Sequence, residues 1–562
     1  MTEPLARLIL PADVAGDVIT CDEGLSFWGG VDPETGVVID AHHALHGQSL
    51  AHKIVLMPTS RGSCSGSGVL LELALNGHAP AALVFREEEE ILTLGALIAH
   101  RMFEKSLAVL RLPPADYATL AAQQHARIAG TQLIMPESTL ALHRTSATDL
   151  TLSVEDQATL AGEHGAPVAL AMHVITTIAV AQGATRLRDI TRGHIDGCIY
   201  AHPANLTFAR AMAEMGARVG VPTTINAVSV DRAASAAPAL APNFRRAASA
   251  LADAYVEMGA RPTFTCAPYL LEDSPALGED IGWSESNAVI FANTVLGART
   301  AKHPDYLDLF IAMTGRAPET GVYLTEGRRP GRILEMDLPA PHDDALWPLI
   351  GWVAGRLSPD RIPLLTGLAE AAPSRDDLRA ICAAFGTTSA APMLHIAGIT
   401  PESTLPPLPG ADRIRIGAAD LTQAWAQLNS GPAQVNLIAL GSPHFSLEET
   451  RTFADLMEGR RVDPNMSVII TLGRDIYQQA RTEGLVARLN TAGVRFHADL
   501  CWCSIVEPLF PPRSTTLMTN SGKYAHYAPG LSGRDVRFGS LADCAHAAVT
   551  GAVPSAHPLW LR

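Results

Sequence analysis

Cysteine is scarce, with eight in 562 residues, far too few to be the disulfide framework of a small secreted scaffold. Most of these thiols, Cys21, Cys198, Cys382 and Cys544 among them, read as inert buried groups. An excess of positive charge is also missing. Lys and Arg number 42 against 57 Asp and Glu, a net charge of −15, which argues against nucleic acid as a general partner. It leaves room for a locally basic pocket that takes an acidic small molecule. No long hydrophobic run is present. The most apolar window, Ala166 to Ala184, is broken by His173, Thr176, Thr177 and Gln182, so it predicts a buried helix and not a membrane span. The first residues lack a basic start followed by a long apolar stretch. No secretory leader is therefore expected, and a reducing, cytoplasmic setting follows. Internal repeats and low-complexity tracts are absent too.

What is there suits an ordinary globular chain: 47% hydrophobic and 18% charged residues. The length exceeds what one core serves, so two or more domains are expected. Residues 1–140 mix β-branched runs, Gly36–Asp40, Ala82–Phe85 and Ser106–Leu110, with a helical pattern over Leu92–Arg101, and Pro113-Pro114 punctuates the end of these runs. They predict a small β-rich α/β domain. Glu87–Glu90 reads as a solvated helix start whose charges suit the macrodipole. Residues 141–562 predict a larger domain in which short apolar strands alternate with longer helices. Ser153 and Asp156 form a helix-start box. Strands are expected within Gly216–Pro222, Val435–Gly441, Ser467–Thr471 and Val494–His497. Such alternation implies parallel sheets covered on both faces, with sites at the strand C-termini.

The densest signal is Met57-Pro58-Thr59-Ser60-Arg61-Gly62-Ser63-Cys64-Ser65-Gly66-Ser67-Gly68. It lies between the apolar run Ile54-Val55-Leu56 and the helix-like Val69–Leu75, so it reads as strand, tight turn, helix. Such a turn aims N–H groups and hydroxyls at a helix N-terminus, where an anion is favoured. Arg61 adds a planar fork suited to a carboxylate, and Ser63 stands where a hydroxyl faces a bound acid. The plainer reading is a Gly/Ser connection that caps a helix. Polar groups are also dense in Thr265-Cys266-Ala267-Pro268-Tyr269, Trp283-Ser284-Glu285-Ser286-Asn287 and Asn293–Thr300. They form either a hydrogen-bonded structural knot or a site wall. Asp499-Leu500-Cys501-Trp502-Cys503 follows a strand pattern. Its Cys-x-Cys pair offers two thiolates to an iron centre, with Cys266 as a third, although that spacing alone is a weak metal signal.

These segments, in this order and across nearly the whole chain, resemble the aconitase X family. Its small swivelling domain carries a catalytic serine in a Gly-Arg-Gly-Ser turn. The resemblance implies a small swivel domain over residues 1–140 and a large aconitase-like multi-layer α/β domain over 141–562. It implies a dehydratase in which Ser63 is the base and Arg61 orients the substrate carboxylate, with Thr59, Ser60 and Ser65 beside the substrate. Ser284, Glu285, Asn287 and Asn226 become substrate or cluster-shell candidates. Lys523, in Thr519-Asn520-Ser521-Gly522-Lys523, becomes a carboxylate or ring-nitrogen ligand. His194, in Gly193–Cys198, is either a proton donor or a core histidine, and His444 is placed near the metal. Where the family often has Gly-Cys-Pro-His this chain has Gly441-Ser442-Pro443-His444, while Cys503 is present. That combination resembles the bacterial hydroxyproline-dehydrating group. It implies an iron–sulfur cluster, [2Fe-2S], on Cys266, Cys501 and Cys503, with mononuclear iron as the alternative. The expected reaction is conversion of cis-3-hydroxy-L-proline to Δ1-pyrroline-2-carboxylate. The rivals are dehydration of mevalonate 5-phosphate, an aconitase-like isomerisation, and an iron-binding protein without catalysis. Protein partners and oligomeric state are left open.

Overall fold

The computed structural model describes residues 5–61, 65–232, 240–339, 341–505, 507–554 and 557–561. The chain divides into two compact units. One comprises Met1–Thr223, Glu257–Gly259 and His303–Thr320, the other Thr224–Val256, Ala260–Lys302 and Gly321–Arg562.

The first unit is built on a nine-stranded mixed sheet. At its centre Val14–Thr20, Ile54–Met57, Ala82–Phe85 and Ala108–Arg111 run parallel. Ile54–Met57 and Ala82–Phe85 are buried throughout, as continuous apolar runs are when both faces of a sheet are covered. The antiparallel strands His125–Ala129, Gln132–Met135 and Ser138–Ala141 extend one edge. Helices Gly66–Leu75 and Ile91–Phe103 follow two of the central strands. They come so close that a Cβ on Gly95 would lie 2.6 Å from the Ser67 carbonyl oxygen, which is why glycine stands there. The unit also holds Val154–Leu160, Ala166–Ala181, Pro203–Glu214 and Leu307–Thr314. The first of these opens on the expected reciprocal box: Asp156 N donates to Ser153 Oγ at 3.0 Å, and Ser153 N to the Asp156 carboxylate at 3.1 Å.

The second unit contains two wholly parallel sheets. One has the order His395–Ile396, Pro363–Thr366, Arg332–Met336, Asp412–Ile416; the other Val494–Ala498, Ser467–Leu472, Leu437–Leu440, Thr516–Thr519, Asp535–Phe538. Helices Leu346–Leu357, Arg375–Thr388 and Gly522–Ser532 share one apolar core; Leu447–Leu456 and Leu541–Thr550 share another. The expected α/β class with parallel sheets is what the chain adopts. No helix among the described residues is long and apolar enough to cross a membrane.

Three local expectations are corrected. Val37 and Val38 make only isolated bridges, to Ser49 and Val31, because Asp32 takes Glu34 N and the Thr35 hydroxyl and Gly36 turns the chain at φ 73°. Gly216–Pro222 holds no strand: Val219 N and Gly220 N donate to Met258 O and Ala312 O, and the strand starts at Thr223. Of the four glutamates expected in solvent, Glu87 and Glu88 are exposed but Glu89 is buried.

Asp308, in the first turn of Leu307–Thr314, is fully buried. Burial, then the neighbouring Asp305, push its carboxyl up to about 7, against hydrogen bonds from Asp196 N and Leu309 N. An unfolded aspartate titrates near about 4. Between these values the folded chain keeps a proton that the unfolded chain has released. This group's contribution is therefore complete below about pH 4 and is lost as pH rises through 7. Asp308→Asn cannot titrate. It should flatten the fall in urea midpoint between pH 5 and 8; an unchanged slope would mean that Asp308 titrates normally in the fold.

Candidate active site

Three cysteines meet in the second unit. Cys266, Cys501 and Ala227 form a small buried cluster, and Cys503 packs against it. Cys503 N donates to Cys501 Sγ at 3.4 Å, and His444 N to Cys266 Sγ at 3.3 Å. The hydrogen bond with Cys266, and then burial, push the Cys501 thiol up to about 12. Cys503 is pushed up by its bond with Cys501 and by burial.

The backbone around them is fixed by polar groups. Asp499, just after the strand Val494–Ala498, has a left-handed φ of 70°. Its buried carboxylate receives Arg474 in a bidentate pair at 3.0 and 2.6 Å, and that guanidinium lies 4.6 Å over the Phe264 ring. The Asp499 carbonyl accepts Val228 N at 2.8 Å. Two cysteine-bearing segments, at 264–266 and 499–503, are thus tied to a third beside Ala227. Burial pushes the His444 pKa down to about 4, so the ring is neutral. Its Nε2–H donates to Leu500 O at 2.7 Å, and Nδ1 accepts from the Thr265 hydroxyl at 3.2 Å. Beneath it Arg379 donates to His444 O at 2.7 Å and pairs with Glu449 at 3.0 Å.

Lys523, at the start of helix Gly522–Ser532, pairs with Glu285 at 2.8 Å. Burial opposes both charges, yet the pairing prevails. It holds the Glu285 carboxyl below its ordinary range and, with the three sulfurs, holds Lys523 well above its own. Glu285 also caps helix Ser286–Phe291 by accepting Ala288 N at 2.8 Å, and it accepts from Asn287 Nδ2. The Asn287 amide donates to Cys266 O at 3.0 Å and accepts from the Tyr269 hydroxyl at 2.7 Å. Ser284 is fully buried, and its hydroxyl has no hydrogen-bond partner among the described residues. Asn226 is buried next to Ala227.

The structure therefore gathers Cys266, Cys501, Cys503, Lys523, Glu285 and Asn287 in one neighbourhood. Among the described residues no three His, Cys, Asp or Glu side chains already stand as a metal-holding group. Their chemistry nonetheless fits an iron–sulfur group. Three soft sulfur donors stand together, two of them buried, and the nearby carboxylate is already committed to Lys523.

The turn lies in the first unit. Gly62, Ser63 and Cys64 fall outside the described residues. Around them Thr59 Oγ1 donates to Glu88 O at 2.9 Å, and Ser60 Oγ to Glu89 Oε1 at 2.6 Å. The half-exposed Arg61 reaches Glu23 and Asp40 at 3.4 and 3.3 Å, pairs worth little where water screens them. Ser65, at the N-cap of helix Gly66–Leu75, donates to Asp305 Oδ2 at 2.8 Å. His194 is fully buried on the strand Gly193–Ile195. Trp502 and Arg379 escaped sequence reasoning as part of the site frame. Trp502 sits inside the Cys-x-Cys pair and donates to Leu440 O at 2.7 Å.

Family models cover most of this frame: the aconitase X swivel domain over residues 5–135, the first domain over 149–326, the second over 330–426 and the third over 435–550. The chain belongs to the aconitase X family. Two relatives are similar over nearly their whole length. A cis-3-hydroxy-L-proline dehydratase of Pseudomonas aeruginosa is 46% identical, over 99% of this chain and 98% of its own. One of Hypocrea jecorina is 44% identical, over 96% and 94%. A crystal structure of Thermococcus kodakaraensis aconitase X in its holo-form matches with a TM-score of 0.65 at 27% identity, covering 71% of this chain and all of that one. The swivel match spans the serine turn, and the first- and third-domain matches span the three cysteines.

Lys523→Met would leave the buried Glu285 carboxylate without its cation. It should lower the unfolding free energy by roughly 3–5 kcal/mol. Adding Glu285→Gln should return part of that loss, because the remaining amide oxygen still caps helix Ser286–Phe291. Urea titration of the two variants checks the order; equal stability of Lys523→Met and the parent would show the pair to be dispensable.

Proposed function

We propose that this chain is a hydro-lyase that converts cis-3-hydroxy-L-proline to Δ1-pyrroline-2-carboxylate. The observation that carries the reading is the extent of similarity to two enzymes of that name. It runs through 99% and 96% of the chain and so takes in both the serine turn and the thiol cluster. The reaction breaks a Cα–H and the C3–O bond. The proton goes to a base, the hydroxyl leaves as water after gaining a proton, and the resulting enamine tautomerises to the imine. A hydroxyl at C3 stands beside the acidic Cα, as elimination requires; one at C4 does not.

In this reading Cys266, Cys501 and Cys503 hold the iron group, a [2Fe-2S] cluster in preference to mononuclear iron. When bound, that group supplies a Lewis acid for the departing hydroxyl. Lys523 offers the substrate a fixed positive charge, kept in place by Glu285. The Ser284 hydroxyl, which has no hydrogen-bond partner among the described residues, supplies with Asn226 and Asn287 polar groups where a small imino acid needs them. Ser63 takes the Cα proton. A serine is a weak base at its free pKa, so Arg61 and the N–H groups of the turn must favour its alkoxide. Thr59 and Ser65 line that side, and His194 is the candidate donor to the leaving hydroxyl. Residues 1–140 act as the swivelling part and 141–562 as the part that holds the iron. The free thiols suit a reducing, cytoplasmic setting.

The test uses anaerobically purified, iron-replete enzyme offered cis-3-hydroxy-L-proline, trans-4-hydroxy-L-proline and mevalonate 5-phosphate in turn. Imine should form from the first alone; no turnover of the cis-3 isomer would sink the assignment. Replacing Cys266, Cys501 or Cys503 by Ala should strip iron and abolish activity, whereas Cys382→Ala, in helix Arg375–Thr388, should do neither. Full iron content in Cys501→Ala would refute the ligand set.

Base catalysis contributes about 10²–10⁴-fold. Ser63→Ala should reduce kcat by that order while leaving iron content and melting temperature intact. Near-normal kcat with a lowered melting temperature would leave Ser63 a structural role only.

A further inference from the structure

The carboxylate of Glu89 is buried, 8% exposed, at the start of helix Ile91–Phe103. It makes no ion pair among the described residues. Four donors surround it instead. Ser60 Oγ at 2.6 Å and Leu92 N at 2.7 Å reach Oε1; Thr93 N at 2.9 Å and Thr93 Oγ1 at 2.8 Å reach Oε2. A carboxylate has about four acceptor sites, so none is left over. Three of the donors belong to the helix start and hold the group still. The fourth comes from 29 residues earlier, on the segment that leads into the serine turn.

Capping alone does not explain this arrangement. A short Ser, Thr, Asp or Asn satisfies a helix start without placing a carboxylate in a dry interior. What Glu89 adds is the reach to Ser60. Its neighbours repeat the connection: Thr59 Oγ1 donates to Glu88 O at 2.9 Å, and Arg86 N and Glu87 N donate to Pro58 O at 3.1 and 2.9 Å. Residues 58–60 are thus laced to residues 86–89 at every step. The Ser60 hydroxyl proton is committed to Glu89, which argues against Ser60 as a direct substrate ligand.

We propose that Glu89 is a positioning residue for the dehydration: acting through Ser60, it fixes the approach to the turn that carries Ser63. This rests on the reading of Ser63 as the base. Neither Glu89 nor Ser60 touches the reacting atoms. Their effect is on where the turn stands, and a displacement of about 1 Å in such a group costs roughly 100-fold in rate.

The test compares Ser60→Ala, Glu89→Gln, the double variant, Ser60→Thr and Thr93→Val in the iron-replete full chain with cis-3-hydroxy-L-proline. Ser60→Ala and Glu89→Gln should each lower kcat roughly 10- to 100-fold with KM little changed, as loss of alignment does. The double variant should be no slower than the slower single one, because both remove the same tether. Ser60→Thr, which keeps the hydroxyl, should recover most of the rate. Thr93→Val removes a bond to the same carboxylate from the helix side. It should lower the melting temperature but hold kcat within about twofold. Ser60→Ala with normal kcat, additive losses in the double variant, or a kcat loss in Thr93→Val equal to that in Glu89→Gln would each overturn the proposal. A parent enzyme without turnover defeats the functional reading and takes this inference with it. An active parent, a crippled Ser63→Ala and a normal Ser60→Ala defeat the inference alone.

Discussion

An ammonium and a carboxylate taken out of water must have each other, and the Lys523–Glu285 pair sits at the root of the second unit's polar interior. Lys523 opens one helix and Glu285 caps another, so the pair joins two helix starts. From Glu285 the bonds run through the Asn287 amide to the Cys266 carbonyl and the Tyr269 hydroxyl. From Cys266 they continue through its sulfur to His444 N, and through the His444 ring to Leu500 O. The adjoining Cys501 and Cys503 are therefore set by a continuous chain of directed bonds. Buried charge pairs add little net stability but penalise any displacement of one partner. Here that rigidity falls on groups whose chemistry needs a fixed placement.

Much of this was legible in the sequence. The apolar run, small-residue turn and helix pattern around residue 60 became the strand Ile54–Met57 and the helix Gly66–Leu75. The Cys-x-Cys pair does follow a strand. The assignment of roles within these segments came from family resemblance and not from spacing, because spacing cannot bring Cys266 to Cys501 across 234 intervening positions of chain.

What stayed hidden was hidden for definite reasons. A run of four glutamates shows its charge in sequence but not its neighbours, so nothing distinguished the buried Glu89 from the exposed Glu87. Val219 and Val221 have strand-forming side chains, yet a strand needs a partner strand. The N–H groups of Val219 and Gly220 instead meet the carbonyls of Met258 and Ala312. Arg379 carries no mark of its role in the sequence. Only tertiary contact reveals that it supports the carbonyl of His444. Fold class follows from periodicity, which is local. The frame of the site follows from long-range polar contacts, which leave no periodic trace.

Asp499 holds a backbone angle that side-chain-bearing residues rarely adopt, and such a conformation persists only where its surroundings over-determine it. Here they do so with protein groups alone: Arg474, the Phe264 ring beneath it and the Val228 amide. The bend that leads into Cys501 and Cys503 is thus braced from three sides, by a side chain, a ring and a backbone amide. The placement of both thiols therefore depends on Arg474, which stands 25 residues before Asp499 in the chain and touches neither sulfur.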